Sequence, residues 1–251
     1  VMHIIWKSTK RLSLAWLIAT FVYTTALFFS INYSSKDSLV LYPIQPYIFG
    51  SEPVDLFFPL FVTIPFVWPI YFLRKDNFLE YVSMRIKLNK YLVFQAFASL
   101  ALCFVMALLV NYSGFLFSLR MANISTGVQG PTLTGYILGE MQLLDPLKFG
   151  LLWSFYKAVI GLLICSLGII FAYYVKNLFL MFLAPFALIS LENFITGVTG
   201  LARFSFTTTY VLNRLSPSVM LPKNLLVGLT IFVGLTIVIQ RALVHHEQQN
   251  Y

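Results

Sequence analysis

The chain has 251 residues, of which 59% are hydrophobic and only 10% are charged. Soluble globular proteins are roughly half apolar and about a quarter charged, so this composition excludes an ordinary soluble domain. The net charge of +8 comes from basic residues that lie between apolar runs. This distribution argues against a nucleic-acid-binding surface and is typical of the loops that orient membrane spans. We therefore expect an all-α integral membrane protein with membrane lipid around it, forming a single transmembrane domain over residues 1–251.

Six apolar runs predict six transmembrane helices, because about 20 apolar residues are needed to span the hydrocarbon as a helix. The expected spans are residues 12–32, 56–73, 91–111, 158–175, 177–191 and 224–240. The first run follows a basic segment, as in a signal peptide, but its length and the lack of a small-residue cleavage motif predict a retained helix.

Proline and charged residues refine this prediction. Pro59, Pro65 and Pro69 predict a kinked second span. Lys157 separates the apolar residues 149–156 from the fourth span and is expected to mark a membrane interface. No charged residue falls inside a predicted span, and Asp55 is assigned to an outer loop. The spans are therefore expected to lack the buried charges of an ion-coupled carrier.

The predicted orientation rests on the Lys and Arg residues that flank the spans. They concentrate before the first span and between the second and third, whereas the opposite loops are longer and hold most acidic residues. With six spans, both termini are expected in the cytoplasm. The glycine-containing segment 194–221 is either a re-entrant hairpin on the outer side or an ordinary loop.

The loop between the second and third spans carries the most informative polar sequence. Asn77 is followed three residues later by Glu80, which predicts a capped helix start. Polar and apolar side chains then separate onto opposite helix faces. Such a helix either lies on the inner leaflet or docks a cytoplasmic partner. The candidate docking residues are Arg74, Lys75, Asp76, Asn77, Glu80, Ser83, Met84, Arg85 and Lys87.

A second, weaker amphipathic segment precedes the first span. Basic side chains there can reach headgroups while an aromatic ring stays at the membrane surface. We predict an N-terminal interfacial helix with Trp6, Lys7, Lys10 and Arg11.

Catalytic motifs are missing from the sequence. Its histidines lie near the termini, and HExxH, GxSxG and the phosphate-binding GxxxxGK[ST] do not occur. We expect that the chain is not an enzyme and holds no metal or cofactor. Cys103 and Cys165 both lie in apolar runs, which predicts buried core residues.

The order of these parts resembles the type-2 permease family of ATP-binding-cassette (ABC) exporters. The shared features are the basic N-terminal helix, six spans, a charged helix between spans two and three, a tight turn at residues 176–177 and a re-entrant-like stretch before span six. The most specific local match is the run 72–97, in which a basic turn, Glu80 and a basic stretch lead into the next span. Tyr81, Val82 and Ser83 stand where the family usually has a glycine.

This resemblance implies a bacterial half-transporter in the cytoplasmic membrane. Two permease chains, identical or related, bind two cytoplasmic ABC ATPase subunits that hold ATP and Mg²⁺, and residues 77–87 form the coupling helix. The implied cargo is a peptide, an antibiotic or a lipid-like molecule. Its expected path is lined by Phe61, Phe66, Trp68, Phe182 and Phe186. The alternative is a membrane scaffold or sensor subunit that docks a cytoplasmic partner without transport.

Overall fold

The long apolar runs fold into helices that pack side by side. The structure is a computed structural model that describes residues 2–36, 42–75, 82, 84, 87–121, 137–175, 177–212, 214 and 222–249. The helices in these ranges are α1 Met2–Ser34, α2 Gln45–Asp55, α3 Phe58–Lys75, α4 Leu88–Met121, α5 Gly139–Leu144, α6 Pro146–Tyr174, α7 Leu178–Val198 and α8 Pro222–Gln249. Two short 3₁₀ turns, Ala202–Phe204 and Thr207–Thr209, lie between α7 and α8.

Five of these helices are long and apolar enough to cross a membrane. They are α1, α4, α6, α7 and α8, whereas α2 and α3 meet the same condition only as a pair, bent by 56°. Among the described residues the count of candidate spans is thus five, or six if the bent pair forms one span. Each predicted span coincides with one of the long helices or with α3, apart from one or two residues at the ends of three spans. The predicted orientation stays a prediction.

Several helices extend beyond their predicted bounds. α1 runs without a break from Met2, so the N-terminal basic segment and the first span share one helix; the side chains of residues 2–11, and with them Trp6, Lys7, Lys10 and Arg11, lie outside the described part. α4 continues to Met121 and α7 to Val198. The hydrophobic core therefore rests on longer helices than the hydropathy pattern predicts.

Helix α6 lies at the centre of the bundle. In its most apolar window 61% of the residues are buried, compared with 11% in α8. It packs against α3 and α4, and α1 packs against α2 and α4. Cys103 and Cys165 are both buried, and the Cys103 thiol lies 3.6 Å from the carbonyl oxygens of Val62 and Gly161.

The bend between α2 and α3 has a local cause. Proline lacks the backbone N–H that continues a helix and its ring clashes with the preceding turn. Pro53 lies near the end of α2 and Pro59 in the first turn of α3, on either side of the break at residues 56–57. Pro65 and Pro69 lie inside α3, which continues past them, so the bend belongs to the start of the predicted second span. Its effect is to place Asp55 inside the bundle.

Glycines allow the closest helix contacts. A Cβ atom at Gly50 of α2 would lie 2.7 Å from the Cα atom and 2.8 Å from the backbone nitrogen of Ile31 in α1. Because both neighbours are backbone atoms, no side-chain rotation relieves the clash. A Cβ atom at Gly234 of α8 would meet nothing within 4 Å.

Gly50→Ala should destabilise the protein by about 1–3 kcal/mol, since α1 and α2 must separate to admit the methyl group. Gly234→Ala is the matched control and should be neutral or stabilising by up to about 1 kcal/mol, because alanine favours the helix. Thermal unfolding of both variants in the same detergent tests the pair. Equal unfolding temperatures would show that the contact with Ile31 does not limit this packing.

Candidate functional site

A charged pair lies inside the helix bundle. The Lys157 ammonium of α6 donates a hydrogen bond of 2.6 Å to Oδ1 of Asp55, the last residue of α2. Lys157 is 0% and Asp55 1% exposed by side chain. Away from water each charge alone is costly, so such groups persist only when paired. Lys157 therefore lies inside one continuous helix and not between two apolar segments, and the expectation that the helices lack buried charges is wrong.

Aromatic rings surround the ammonium. The Lys157 nitrogen lies 5.8 Å from the ring centroid of Tyr47 and 5.8 Å from that of Phe58. A cation within about 6 Å of an aromatic face is attracted by the ring quadrupole, and more strongly when it is desolvated. The lysine thus has a carboxylate partner and two rings, contributed by α2 and α3.

A tyrosine and asparagine network lies beside this pair. The Asn111 side chain of α4 accepts a hydrogen bond from the Tyr47 hydroxyl at 3.1 Å and donates one to the Tyr23 hydroxyl at 3.1 Å. Ser118 of α4 accepts a 3.0 Å hydrogen bond from the Tyr47 backbone N–H in the first turn of α2, and the same N–H also donates to the Ile44 carbonyl at 3.1 Å. These contacts connect α1, α2 and α4 by directional polar bonds.

The segment after α7 packs onto the same region. The Tyr210 ring lies 5.6 Å from Phe58, and Phe206 stacks on Phe232 of α8 at 3.8 Å. Glu192 of α7 holds this segment by accepting hydrogen bonds from the Ser205 hydroxyl at 2.9 Å and the Phe206 backbone N–H at 3.1 Å. This segment, which is part of the stretch 194–221, therefore packs against Phe58 of α3 and Phe232 of α8.

Arg214, which follows this segment, is also partly shielded from water. Burial lowers the pKa of Arg214 below its ordinary value, and the negative charge of Glu192 opposes that decrease. The guanidinium stays protonated at neutral pH because its ordinary pKa is very high.

An apolar groove opens between α1 and α3. Its volume is about 830 Å³, and its lining consists of aliphatic, proline and aromatic side chains. Phe61 and Trp68 line it, and Trp68 is 46% exposed. Phe182 of α7 stacks on Trp68 at 5.6 Å. Three of the five predicted path residues therefore meet at or beside one groove.

The other two predicted path residues lie elsewhere. Phe66 is fully buried in the core, so its ring does not line the groove. Phe186 stacks on Phe57 at 6.2 Å, near the bend between α2 and α3. The side chains of α3 alternate between groove and core according to helical position, which a list of aromatic residues cannot distinguish.

Most of the predicted docking residues lie outside the described part of the chain. Asp76, Asn77, Glu80, Ser83 and Arg85 belong to this group, and the side chains of Arg74 and Lys75 are not described either. Met84 is 82% exposed and Lys87 is exposed. Val82, which was not among the predicted residues, is fully buried against Leu73 of α3 and Tyr91 of α4.

Asp55 and Lys157 are the residues that the sequence-based prediction missed. The available signal was a lysine with apolar residues on both sides in a run long enough for one helix, together with an aspartate beside a proline-rich apolar run. An ionisable residue at membrane depth is by default a candidate functional residue, and its partner has to be sought in another helix.

The fold and this buried pair define a multi-pass, membrane-embedded helical protein. Comparison of the chain with protein-family models, curated proteins and solved structures finds no match.

Lys157→Met should destabilise the protein by about 3–5 kcal/mol, because it leaves the Asp55 carboxylate buried without its partner. The double variant Asp55→Leu/Lys157→Met removes both charges and should recover much of that loss. Unfolding in SDS-containing mixed micelles measures the free energy of unfolding of the wild type, the single variant and the double variant.

Lys148→Met is the matched control on the same helix. Lys148 pairs with Asp145 at the protein surface, where the two side chains are 71% and 50% exposed. Its loss should cost less than about 1 kcal/mol. If Lys157→Met costs no more than this control, the buried pair does not hold the bundle together.

Proposed function

We propose that the chain is the membrane-embedded permease subunit of an ATP-driven ABC exporter that moves an amphipathic or hydrophobic cargo. The energy would come from two separate cytoplasmic ATPase subunits, and a second permease chain, identical or related, would complete the transporter. The observation that carries this proposal is the burial of Val82 between the ends of α3 and α4.

Val82 fastens the connection between α3 and α4 to both helices. Its side chain is 0% exposed, while Leu73 and Tyr91 are 6% and 3% exposed. A displacement applied to this connection therefore reaches two helices. The Tyr173 hydroxyl of α6 donates a 3.1 Å hydrogen bond to the Leu92 carbonyl, which extends the linkage to the central helix. A coupling element needs such a mechanical connection.

The same connection also presents an exposed surface. Met84 lies two positions after the buried Val82 and is 82% exposed. A flexible apolar side chain of this kind suits contact with a partner surface. One short segment thus combines an anchor in the bundle with a side chain available to a docked subunit.

The groove between α1 and α3 supports the proposed class of cargo. Its lining is apolar, and Phe61 and Trp68 supply large aromatic surfaces. Apolar pockets of several hundred Å³ are the usual binding places of small hydrophobic ligands. A hydrocarbon or aromatic portion of a cargo molecule would enter it from the bilayer.

Two substitutions should separate docking from coupling. Met84→Glu should reduce copurification of an ATPase subunit by about tenfold or more, because it places a charge in the contact. Val82→Ala should leave copurification within about twofold of wild type but abolish cargo-dependent ATPase activity, because the anchor to α3 and α4 is lost. Val93→Ala, at a 69% exposed position of α4, is the control and should change neither quantity.

Pull-down from native membranes, followed by ATPase assays in nanodiscs, gives both readouts. A copurifying partner without nucleotide-binding motifs would favour the scaffold or sensor function instead. Loss of docking in both the Val82 and Met84 variants would contradict the separation of anchor and contact surface.

A further inference from the structure

We propose that Asp55 and the rings of Tyr47 and Phe58 form a site for organic cations inside the bundle. Lys157 occupies this site in the present conformation. The ligand of the site is the ammonium group of a cationic amphiphile. The assignment of that amphiphile as cargo rests on the proposed function. The site itself is a property of this chain alone.

The chemistry around the lysine nitrogen is that of a receptor for organic cations. One carboxylate oxygen lies 2.6 Å away, and two aromatic ring centroids lie 5.8 Å away. A carboxylate with aromatic faces is a recurrent arrangement for binding ammonium groups. Since carboxylate and rings come from α2 and α3 and the ammonium from α6, the receptor and its present occupant lie on different helices.

The position of the site also fits an amphiphile. Phe61 lines the apolar groove and stacks on Tyr23 at 4.7 Å. The Tyr23 ring centroid in turn lies 6.1 Å from that of Phe58, and the Lys157 nitrogen lies 5.8 Å from the Phe58 centroid. Phe61 and Tyr23 therefore lie between the groove and the Asp55 site. A ligand with its hydrocarbon chain in the groove and its charged end towards Asp55 would match apolar surface with apolar surface and charge with charge.

Lys157 controls this site as a tethered competitor. An attached group is present at a high effective concentration, so a free ammonium ion competes poorly with it. Removing the lysine side chain vacates the space beside Asp55 and leaves a carboxylate that needs a cation. The wild type should therefore bind small ammonium ions weakly, and a variant that lacks the lysine should bind them well.

The test uses the full-length chain in detergent, without any ATPase. Lys157→Ala is titrated with n-butylammonium chloride, and its thermal unfolding temperature is recorded. We expect a saturable rise of several degrees, a much smaller rise in the wild type, and none in Asp55→Asn/Lys157→Ala. Butanol and sodium chloride at equal concentrations control for apolar and ionic-strength effects and should not reproduce the rise.

The recovered yield provides a second readout if Lys157→Ala is too unstable to unfold cooperatively. Purification with butylammonium chloride should then increase the monodisperse fraction several-fold over purification with butanol, and only when Asp55 is retained. An equal effect of butanol, an equal effect in the double variant, or no effect on either readout would overturn the proposal.

The length of the ligand's alkyl chain tests the part played by the groove. Octylammonium should stabilise Lys157→Ala at lower concentrations than butylammonium, and Ala19→Phe, which fills the groove wall, should remove that advantage. An advantage that survives Ala19→Phe would mean that the hydrocarbon lies elsewhere. A rise with uncharged octanol equal to that with octylammonium would show that the hydrocarbon chain alone accounts for binding and would contradict cation selectivity. Because no ATPase is involved, these outcomes are independent of whether the chain serves an exporter.

Discussion

A lysine ammonium and an aspartate carboxylate lie 2.6 Å apart between apolar helices, and neither is tolerated there without the other. Much of the architecture follows from keeping them together. α2 must end where Asp55 reaches α6, which the prolines on both sides of the bend permit. Close contact of Gly50 with Ile31 then holds α2 against α1. The pair costs free energy to bury, and it can form only when α2 and α6 are neighbours.

Hydrogen bonds around the pair fix the rotation of helices that otherwise pack through apolar side chains. In lipid, van der Waals contact alone distinguishes poorly between helix rotations, whereas a hydrogen bond requires a particular face. Asn111 joins Tyr23 and Tyr47, and Ser118 accepts a hydrogen bond from a backbone N–H at the start of α2. On the other side, Glu192 fastens the segment that includes Phe206. The bundle is therefore specified by a few buried polar side chains.

The sequence predicted the helical membrane class and the approximate position of every long helix, because apolar runs of sufficient length have few other structures available. It did not predict that α6 continues through Lys157, since a charge at an interface and a charge paired with a distant residue look the same in one sequence. For the same reason Asp55 was assigned to a loop. Phe61 and Phe66 differ only by helical position, and Val82 is informative only through its neighbours in space.

Asp55 and Lys157 are separated by 102 positions in the chain. During synthesis α2 and α3 are therefore made long before α6 supplies the cation. An aspartate without a partner resists burial in hydrocarbon, so the bent pair cannot settle at its final depth until α6 has been inserted. The buried pair therefore links the packing of the early helices to a late one: α6 is synthesised after α2 and α3, and its insertion supplies the cation that the bent pair needs.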